Sequence, residues 1–279
     1  ERRLEERRAE VNESFGEAQS YLPASSEYVA GPDAYLEQLR KVKEAVDVPV
    51  IGSLNGTTQA GWLDYARLIE QAGADALELN VYTVGSDPSE DCSTIEKRLV
   101  DMVAAVAGKT TLPIAVKLSP SYTGLSHLAR QLSAAGAKGL VLFNRFYQPD
   151  IDLEKLDVSL KLELSSSSEL LSRLRWTALL SGRVDVSLGV TGGVHTPDDA
   201  LKAVMAGAHG VQVVSAVLKN GVGVVTRLVE GLDRWLAEHE YASLEQAQGS
   251  MSLWRSPRPE MYERGNYIRI LQGYSRSWR

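Results

Sequence analysis

The chain has 279 residues, of which 44% are hydrophobic and 24% charged, so it can form one large α/β domain or two small ones. Its formal net charge of -6 gives no general basic field for nucleic acid. No apolar run reaches the roughly 18 residues that predict a membrane span. The single cysteine, Cys92, excludes an internal disulfide and an iron–sulfur cluster held by this chain alone, so we expect a reducing, cytoplasmic setting.

The first half of the chain alternates strand and helix patterns. Short β-branched runs bounded by turn residues predict strands at 48–54, 76–82, 112–119 and 139–146. Amphipathic spacing predicts helices at 33–46, 61–73, 93–108 and 125–136. Ser93, with Glu96 three residues later, has the pattern of a capping box, which predicts Ser93 as the N-cap of its helix.

The second half continues the alternation after a longer excursion over 147–168. The patterns predict helices at 169–181, 196–207 and 222–239, and strands at 184–194 and 210–217, the first of which runs into a glycine turn. Thr196 is the predicted N-cap of its helix and Pro197 the first helical residue.

Six β-then-α units at roughly even spacing predict a parallel sheet covered by helices. A doubly wound sheet and a (β/α)8 TIM barrel both fit, although no Gly-x-Gly-x-x-Gly follows the first strand, which weakens a dinucleotide-binding interpretation. Six units are two short of a barrel, and the sequence begins within a charged helical pattern. We therefore expect residues 1–252 to form one barrel domain that lacks its first two strands, and 253–279 to form a basic, aromatic extension.

Polar side chains mark the C-terminal ends of the predicted strands, where parallel barrels place their active sites. They are Asn55, Glu78, Asn80, Lys117, Ser119, Asn144, Arg145, Thr191, Gly192, Gly193, Gln212 and Ser215. Each has a structural alternative: Asn55 can belong to a turn, Asn80 can cap a loop, and Lys117 can form a core ion pair with Glu78.

Three amides and a lysine that converge suit a planar heterocycle, because each amide both donates and accepts hydrogen bonds. Gly192 and Gly193 precede a helix, and a glycine turn at a helix N-terminus suits a phosphate, unless these glycines only turn the chain. A planar ring with a phosphate predicts a nucleotide-like cofactor such as FMN. The four histidines are scattered along the sequence, and no metal site is predicted.

Five segments resemble the dihydroorotate dehydrogenase family in order and spacing over about 35–252: LELNVY, AVKLSP, LVLFNRF, VTGGVHTPDDALKAVMAGAHGVQVVSAVLKNG and YASLEQAQGSMS. The resemblance is nearest to soluble bacterial dihydroorotate dehydrogenase-like proteins. It implies an FMN-bearing (β/α)8 barrel that oxidises dihydroorotate, a dihydropyrimidine, to orotate in pyrimidine biosynthesis. It also implies frequent homodimerisation, and it leaves the electron acceptor and any partner subunit unidentified.

The resemblance assigns roles by position. Lys117 corresponds to the lysine near the N1 edge of the flavin, where a cation stabilises the negative charge of the reduced ring. Asn80 corresponds to an asparagine shared by flavin and substrate, and Asn55 and Asn144 to amides at the substrate's edge. Gly192 and Gly193 correspond to the pair that holds the cofactor's phosphate, and Val214 and Ser215 are further cofactor-binding positions that replace a Gly-Thr pair. Ser165 to Ser168 lie near a family glycine loop.

One departure concerns the catalytic base. In the family a Cys or Ser stands three residues after the strand asparagine, and here that position is Thr83, whose hydroxyl needs a neighbouring base or a water chain to act. Gly85 replaces a frequent asparagine two residues further on. Thr83 and Tyr82 are the candidate proton acceptors, and a swinging Cys92 is an alternative to a plain loop thiol.

Two rival functions remain open. Lys117 could be the nucleophile of a Schiff-base lyase, because a desolvated lysine on a strand can act in this way. Alternatively, the chain could be a non-catalytic relative that binds a nucleotide or a partner protein, because Thr83 replaces the catalytic base. The basic, aromatic segment 253–279 could bind nucleic acid by charge and stacking. We expect instead that it packs over the barrel or contacts another subunit, because the rest of the chain is acidic.

Overall fold

The computed structural model describes residues 32–55, 59–81, 83–146, 148–160, 162–263 and 271–273. Its strands are β1 (Ile51–Asn55), β2 (Ala76–Asn80), β3 (Ile114–Leu118), β4 (Gly139–Leu142), β5 (Pro149–Asp152), β6 (Asp157–Leu160), β7 (Ser187–Thr191) and β8 (Gly210–Gln212). Its helices are α1 (Pro32–Ala45), α2 (Gln59–Gln71), α3 (Cys92–Ala107), α4 (Leu125–Ala134), α5 (Leu170–Leu180), α6 (Pro197–Ala206), α7 (Ser215–Asn220), α8 (Val224–Glu238), α9 (Leu244–Ala247) and α10 (Glu260–Glu263).

Six strands of the described residues form one parallel sheet in the order β1-β2-β3-β4-β7-β8. The sheet is strongly curled, because Gln212 on β8 donates a hydrogen bond to Glu78 on β2, although β3, β4 and β7 separate these two strands. In a flat sheet, strands four positions apart would be roughly 19 Å from each other. The alternation and the parallel sheet are confirmed, and the curl is that of a partial (β/α)8 barrel rather than of a doubly wound sheet.

The hydrophobic core lies between the sheet and the helices that connect its strands. Apolar residues recur at helical spacing on α3 (Leu99, Val103 and Val106), and this face packs onto the strands. The prediction that the strands are apolar on both faces is wrong: Leu77 and Leu79 of β2 are fully buried on one face, whereas Glu78 and Asn80 alternate with them and lie on the other. The core therefore holds the strand ends, and the polar residues on them, in fixed positions.

Three local predictions are wrong. Asp91 rather than Ser93 is the N-cap of α3, because its carboxylate accepts from the backbone N–H of Thr94 at 2.7 Å. The predicted strand 210–217 ends at Gln212, and Ser215 instead begins α7. The excursion 147–168 contains an antiparallel hairpin of β5 and β6 that the sequence patterns did not predict.

The segment after α9 returns to the domain. Leu253 is buried, and its backbone N–H donates to the carbonyl of Ala178 on α5 at 3.0 Å. The hydroxyl of Tyr262 donates to the carbonyl of Met251 at 2.6 Å. Residues 1–31 and most of 264–279 lie outside the described residues, so the domain boundaries and the role of the C-terminal extension stay predictions. No helix in the described part of the chain is long and apolar enough to cross a membrane.

Candidate functional site

A cavity of about 190 Å³ lies at the C-terminal ends of β3, β4, β7 and β8. Its lining residues are Lys117, Phe143, Asn144, Arg145, Leu164, Ser165, Thr191, Gly192, Gly193, Val194, Gln212, Val214, Ser215 and Leu218. The cavity thus brings together eight of the twelve residues predicted at the strand ends, with Val214 and Ser165 in addition, from four separate strands and the connections that follow them. This is the end of a parallel barrel at which ligands bind.

The glycine turn after β7 forms one end of the cavity. Gly192 and Gly193 have φ values of 81° and 83°, in the left-handed region that side chains disfavour. A Cβ at Gly193 would lie 2.6 Å from the backbone nitrogen of Leu170, at the start of α5. Glycine is therefore required here both by the backbone conformation and by the close approach of α5.

Ser165 joins the elements around the glycine turn. Its hydroxyl accepts from the backbone N–H of Gly193 at 3.3 Å and lies 3.2 Å from Nε2 of His195. Its backbone N–H donates to the hydroxyl of Ser215 at 3.2 Å, and its carbonyl accepts from Lys219 at 2.8 Å. The predicted serine run therefore contributes one residue, Ser165, to the cavity wall, between the turn after β7 and the start of α7.

Asp199 fixes the start of α6 behind this turn. Its carboxylate accepts from the Ser167 hydroxyl at 2.7 Å and from the backbone N–H groups of His195 and Thr196 at 3.1 and 3.0 Å. Thr196 caps the helix in return, as predicted. Burial alone would raise the pKa of Asp199, but these hydrogen bonds outweigh it and hold the pKa below its usual value.

Arg173 is a functional candidate that the sequence patterns did not reveal. It is buried against the glycine turn, where its Nε donates to the carbonyl of Thr191 at 2.5 Å and its Nη1 to the carbonyl of Glu169 at 2.7 Å. Burial lowers the pKa of Arg173, the charge of Arg145 lowers it further, and Glu169 opposes both effects. Its spacing with Leu170 and Thr177 on the buried face of α5 was the available signal.

Lys117, on β3, forms another part of the cavity wall. Its ammonium lies 3.3 Å from a carboxylate oxygen of Glu78, and the other carboxylate oxygen accepts a hydrogen bond from Gln212. Both charged side chains are largely buried. The core ion pair and the site interpretation are thus compatible, because an ammonium has three donors and the pair with Glu78 uses one.

The predicted amides differ in their surroundings. Asn144 is buried in the cavity wall, and its side-chain Nδ2 has no hydrogen-bond partner among the described residues. Asn80 is also buried, but its Nδ2 donates to the hydroxyl of Ser53 on β1 at 2.5 Å. Asn55 is exposed at the end of β1, beside Asn80 in the parallel register. Neither Asn55 nor Asn80 lines the cavity described above.

The candidates for the catalytic base lie away from the cavity wall. Thr83 follows β2 in a half-buried loop position and is not among the lining residues. Tyr82 lies outside the described residues. Cys92 is an exposed free thiol at the first residue of α3. Within the described residues, no group of three or more metal-ligating side chains comes together.

A protein-family model for dihydroorotate dehydrogenase matches residues 27–236 of the 279-residue chain. The NAD-dependent dihydropyrimidine dehydrogenase subunit PreA of Escherichia coli is 28% identical over 233 residues, which cover 77% of this chain and 56% of that protein. The catalytic subunit of dihydroorotate dehydrogenase B (NAD(+)) from Pyrococcus abyssi is 30% identical, over 78% of this chain and 74% of the relative. The corresponding subunit from Methanocaldococcus jannaschii is 29% identical, over 78% and 73%. The chain thus spans little more than half of the E. coli subunit's length.

Proposed function

The chain belongs to the dihydroorotate dehydrogenase family, and on that premise we propose that it is an oxidoreductase that binds FMN and oxidises the ring CH–CH bond of dihydroorotate. Enzymes of this family are flavoproteins. The observation that carries the proposal is the buried amide of Asn144, a residue of the cavity wall, whose Nδ2 has no hydrogen-bond partner among the described residues. A buried amide without a partner is costly, so its presence here is accounted for by a ligand that accepts its hydrogen bond.

The donor set fits the proposed cofactor. Gly192 and Gly193 line the cavity and carry no side chains, so a phosphate would approach the backbone of this turn. The N–H of Gly193 donates to the Ser165 hydroxyl, and we infer that a bound phosphate would take over this donor. Lys117 brings a positive charge to the cavity wall, which would stabilise the negative charge of a reduced flavin. At about 190 Å³ the cavity is smaller than the roughly 300 Å³ or more of typical ligand sites. We infer that it would hold only one part of the cofactor.

The bound flavin would supply a hydride acceptor, and the other groups would orient the substrate and take up its proton. Asn144 would donate its free N–H to a carbonyl of the substrate ring or the flavin. Arg145 lines the same wall, and it would attract the carboxylate of dihydroorotate. By the family resemblance, Thr83 would be the proton acceptor. A threonine hydroxyl is weakly basic, so we expect slow proton abstraction that depends on water.

A dihydropyrimidine without the carboxylate is the second candidate substrate. Its support is the similarity to the E. coli dihydropyrimidine dehydrogenase subunit. The electron acceptor would then reside on a partner protein, because the name of that relative and those of the dihydroorotate dehydrogenase B relatives describe subunits of larger assemblies. An iron–sulfur relay would also have to come from a partner, since the chain has one cysteine.

The test is an anaerobic titration of the FMN-loaded chain, followed by the visible absorption band of the flavin. Bleaching by dihydroorotate supports the proposed substrate, and bleaching by dihydrouracil alone supports the second candidate. A yellow protein that neither compound bleaches would leave a flavin-binding relative without this activity, as the threonine at position 83 also suggests. Failure to hold FMN would overturn the proposal, and trapping of a carbonyl substrate on Lys117 by borohydride would replace it with the lyase.

A further inference from the structure

Arg173 lies directly behind the glycine turn, where it is only 6% exposed. Its Nη2 lies 3.0 Å from the position that a Cβ at Gly192 would occupy. The two hydrogen bonds to the carbonyls of Thr191 and Glu169 use Nε and Nη1, and they connect α5 to the end of β7. The guanidinium is thus in contact with the turn but is held by neutral partners.

The charge of Arg173 is not directly balanced. Within the described residues it makes no ion pair with a carboxylate, and Glu169, whose charge acts on it, pairs with Arg145 at 3.1 Å. Glu169 lies on Arg173's own helical segment, and Arg145 approaches from the end of β4. The carboxylate of Glu169 therefore pairs with one of the two guanidinium groups near it and leaves Arg173 without an ion pair. Burying a cation without a full counter-charge is unfavourable unless an anion completes the arrangement.

A purely structural role does not account for this arrangement. The two carbonyl acceptors need only neutral donors, which an amide side chain also provides. An uncharged side chain at this position would avoid the desolvation of a guanidinium. The positive charge becomes useful when a dianionic group binds on the cavity side of Gly192 and Gly193, because attraction between charges is strong where water is excluded.

We propose that Arg173 is a positioning residue that sets the affinity of the glycine turn for the phosphate group of the cofactor. It acts through the turn: it holds the carbonyl of Thr191, and its charge attracts the phosphate from behind Gly192. This inference rests on the proposed FMN site. It gives a function to a buried positive charge that the conformation of the glycine turn does not require.

The test compares FMN with riboflavin, which has the same ring and ribityl chain but no phosphate. The variant is Arg173→Gln, which removes the charge and keeps an N–H donor. Binding is measured by quenching of flavin fluorescence in the full chain. We expect the affinity for FMN to fall by about tenfold or more, and that for riboflavin to change by less than about twofold. Inorganic phosphate should compete with FMN less effectively in the variant than in the wild type.

The matched control is Arg175→Gln on the same helix. Arg175 is exposed and, two residues away, lies on a different face of α5, so its loss should leave both affinities unchanged. Arg173→Lys keeps the charge and should recover most of the FMN affinity. If Arg173→Gln does not fold, Arg173→Lys provides the test instead. Because this variant keeps the charge, it should bind FMN at least about fivefold more tightly than riboflavin.

Equal losses of FMN and riboflavin affinity in Arg173→Gln would overturn the inference, because they indicate a structural role alone. An Arg173→Gln variant that binds both FMN and riboflavin as tightly as the wild type would overturn the inference as well. A wild-type chain that binds neither flavin would instead contradict the proposed function. The two failures are therefore distinguishable in one set of titrations.

Discussion

Two parts of the predicted site differ in how they are built. At the glycine-turn end, Gly192, Gly193, Val214 and Ser215 all line the cavity, as their positions in the sequence predict. At the amide end, Lys117 and Asn144 line the cavity, but Asn55 is exposed and Thr83 stands outside the wall. The glycine-turn end depends on backbone groups within short segments, which local sequence determines. The amide end depends on side chains from separate strands, whose directions follow from the curl of the whole sheet.

Gly193→Ala should break the glycine-turn end most severely. A Cβ at this position meets the backbone of Leu170 at 2.6 Å, and the residue has φ +83°. We expect the free energy of unfolding to fall by roughly 2–4 kcal/mol and FMN affinity to fall by at least about a hundredfold. Urea unfolding and flavin titration measure the two effects.

Gly221→Ala separates conformational strain from the close contact. Gly221 has φ +75°, but a Cβ there would meet nothing within 4 Å. We expect a loss of about 1 kcal/mol and unchanged FMN affinity. Equal losses in the two alanine variants would show that the contact with Leu170 contributes nothing.

Glu78→Gln tests the part of the cavity wall that Lys117 forms. The substitution leaves the Lys117 ammonium without its buried counter-charge, so we expect the free energy of unfolding to fall by about 2–3 kcal/mol. A surface carboxylate that pairs with Lys97 supplies the control, because Asp101→Asn should cause no measurable change in urea unfolding. A Glu78→Gln protein as stable as the wild type would mean that the lysine is held by the cavity and not by the ion pair.

Asp199→Asn tests, through the pH dependence of stability, how the glycine-turn end is held. The folded-state pKa of Asp199 is lowered from the usual 3.8, so its ionised form stabilises the fold above that value, and the contribution is lost as pH falls through the lowered pKa. We expect the variant to lose roughly 1–3 kcal/mol at neutral pH. The difference from wild type should narrow below about pH 4. A difference that is constant with pH would contradict this assignment.

Asn144→Leu should have the smallest effect on stability. Its Nδ2 has no partner among the described residues, so an apolar side chain should leave the free energy of unfolding unchanged or raise it by about 1 kcal/mol. The same change should weaken ligand binding by about tenfold, because the free donor is lost. Destabilisation without a change in ligand affinity would show that the amide serves the fold.

Much of the fold follows from local patterns. Each of the six βα units was predicted because buried parallel strands and amphipathic helices differ in their hydrophobic period. The hairpin of β5 and β6 escaped prediction because its apolar residues, such as Ile151 and Val158, are exposed. The three-residue β8 and the start of α7, separated from it by two residues, were predicted to be one strand because four of the seven residues in VQVVSAV are valine.

The site was predictable to a lesser extent. The Lys117–Glu78 pair was foreseen as an alternative, because both residues stand on neighbouring strands. The hydrogen bond from Gln212 to Glu78 was not foreseen, because it depends on the curl of the sheet that brings β8 close to β2. Arg173 was missed because an arginine on an amphipathic helix normally indicates a solvated face. The curvature of the sheet determines the contact between Gln212 and Glu78, and burial determines the surroundings of Arg173. Neither can be inferred from residue type.

The bond between Glu78 and Gln212 also has a kinetic consequence. It joins positions 134 residues apart, so a folding chain must close a very long loop before the bond can form. We therefore expect the bond to form late in folding, so that its loss accelerates unfolding more than it slows folding. The lifetime of the curled sheet, more than its rate of formation, should then respond to the loss of this buried carboxylate.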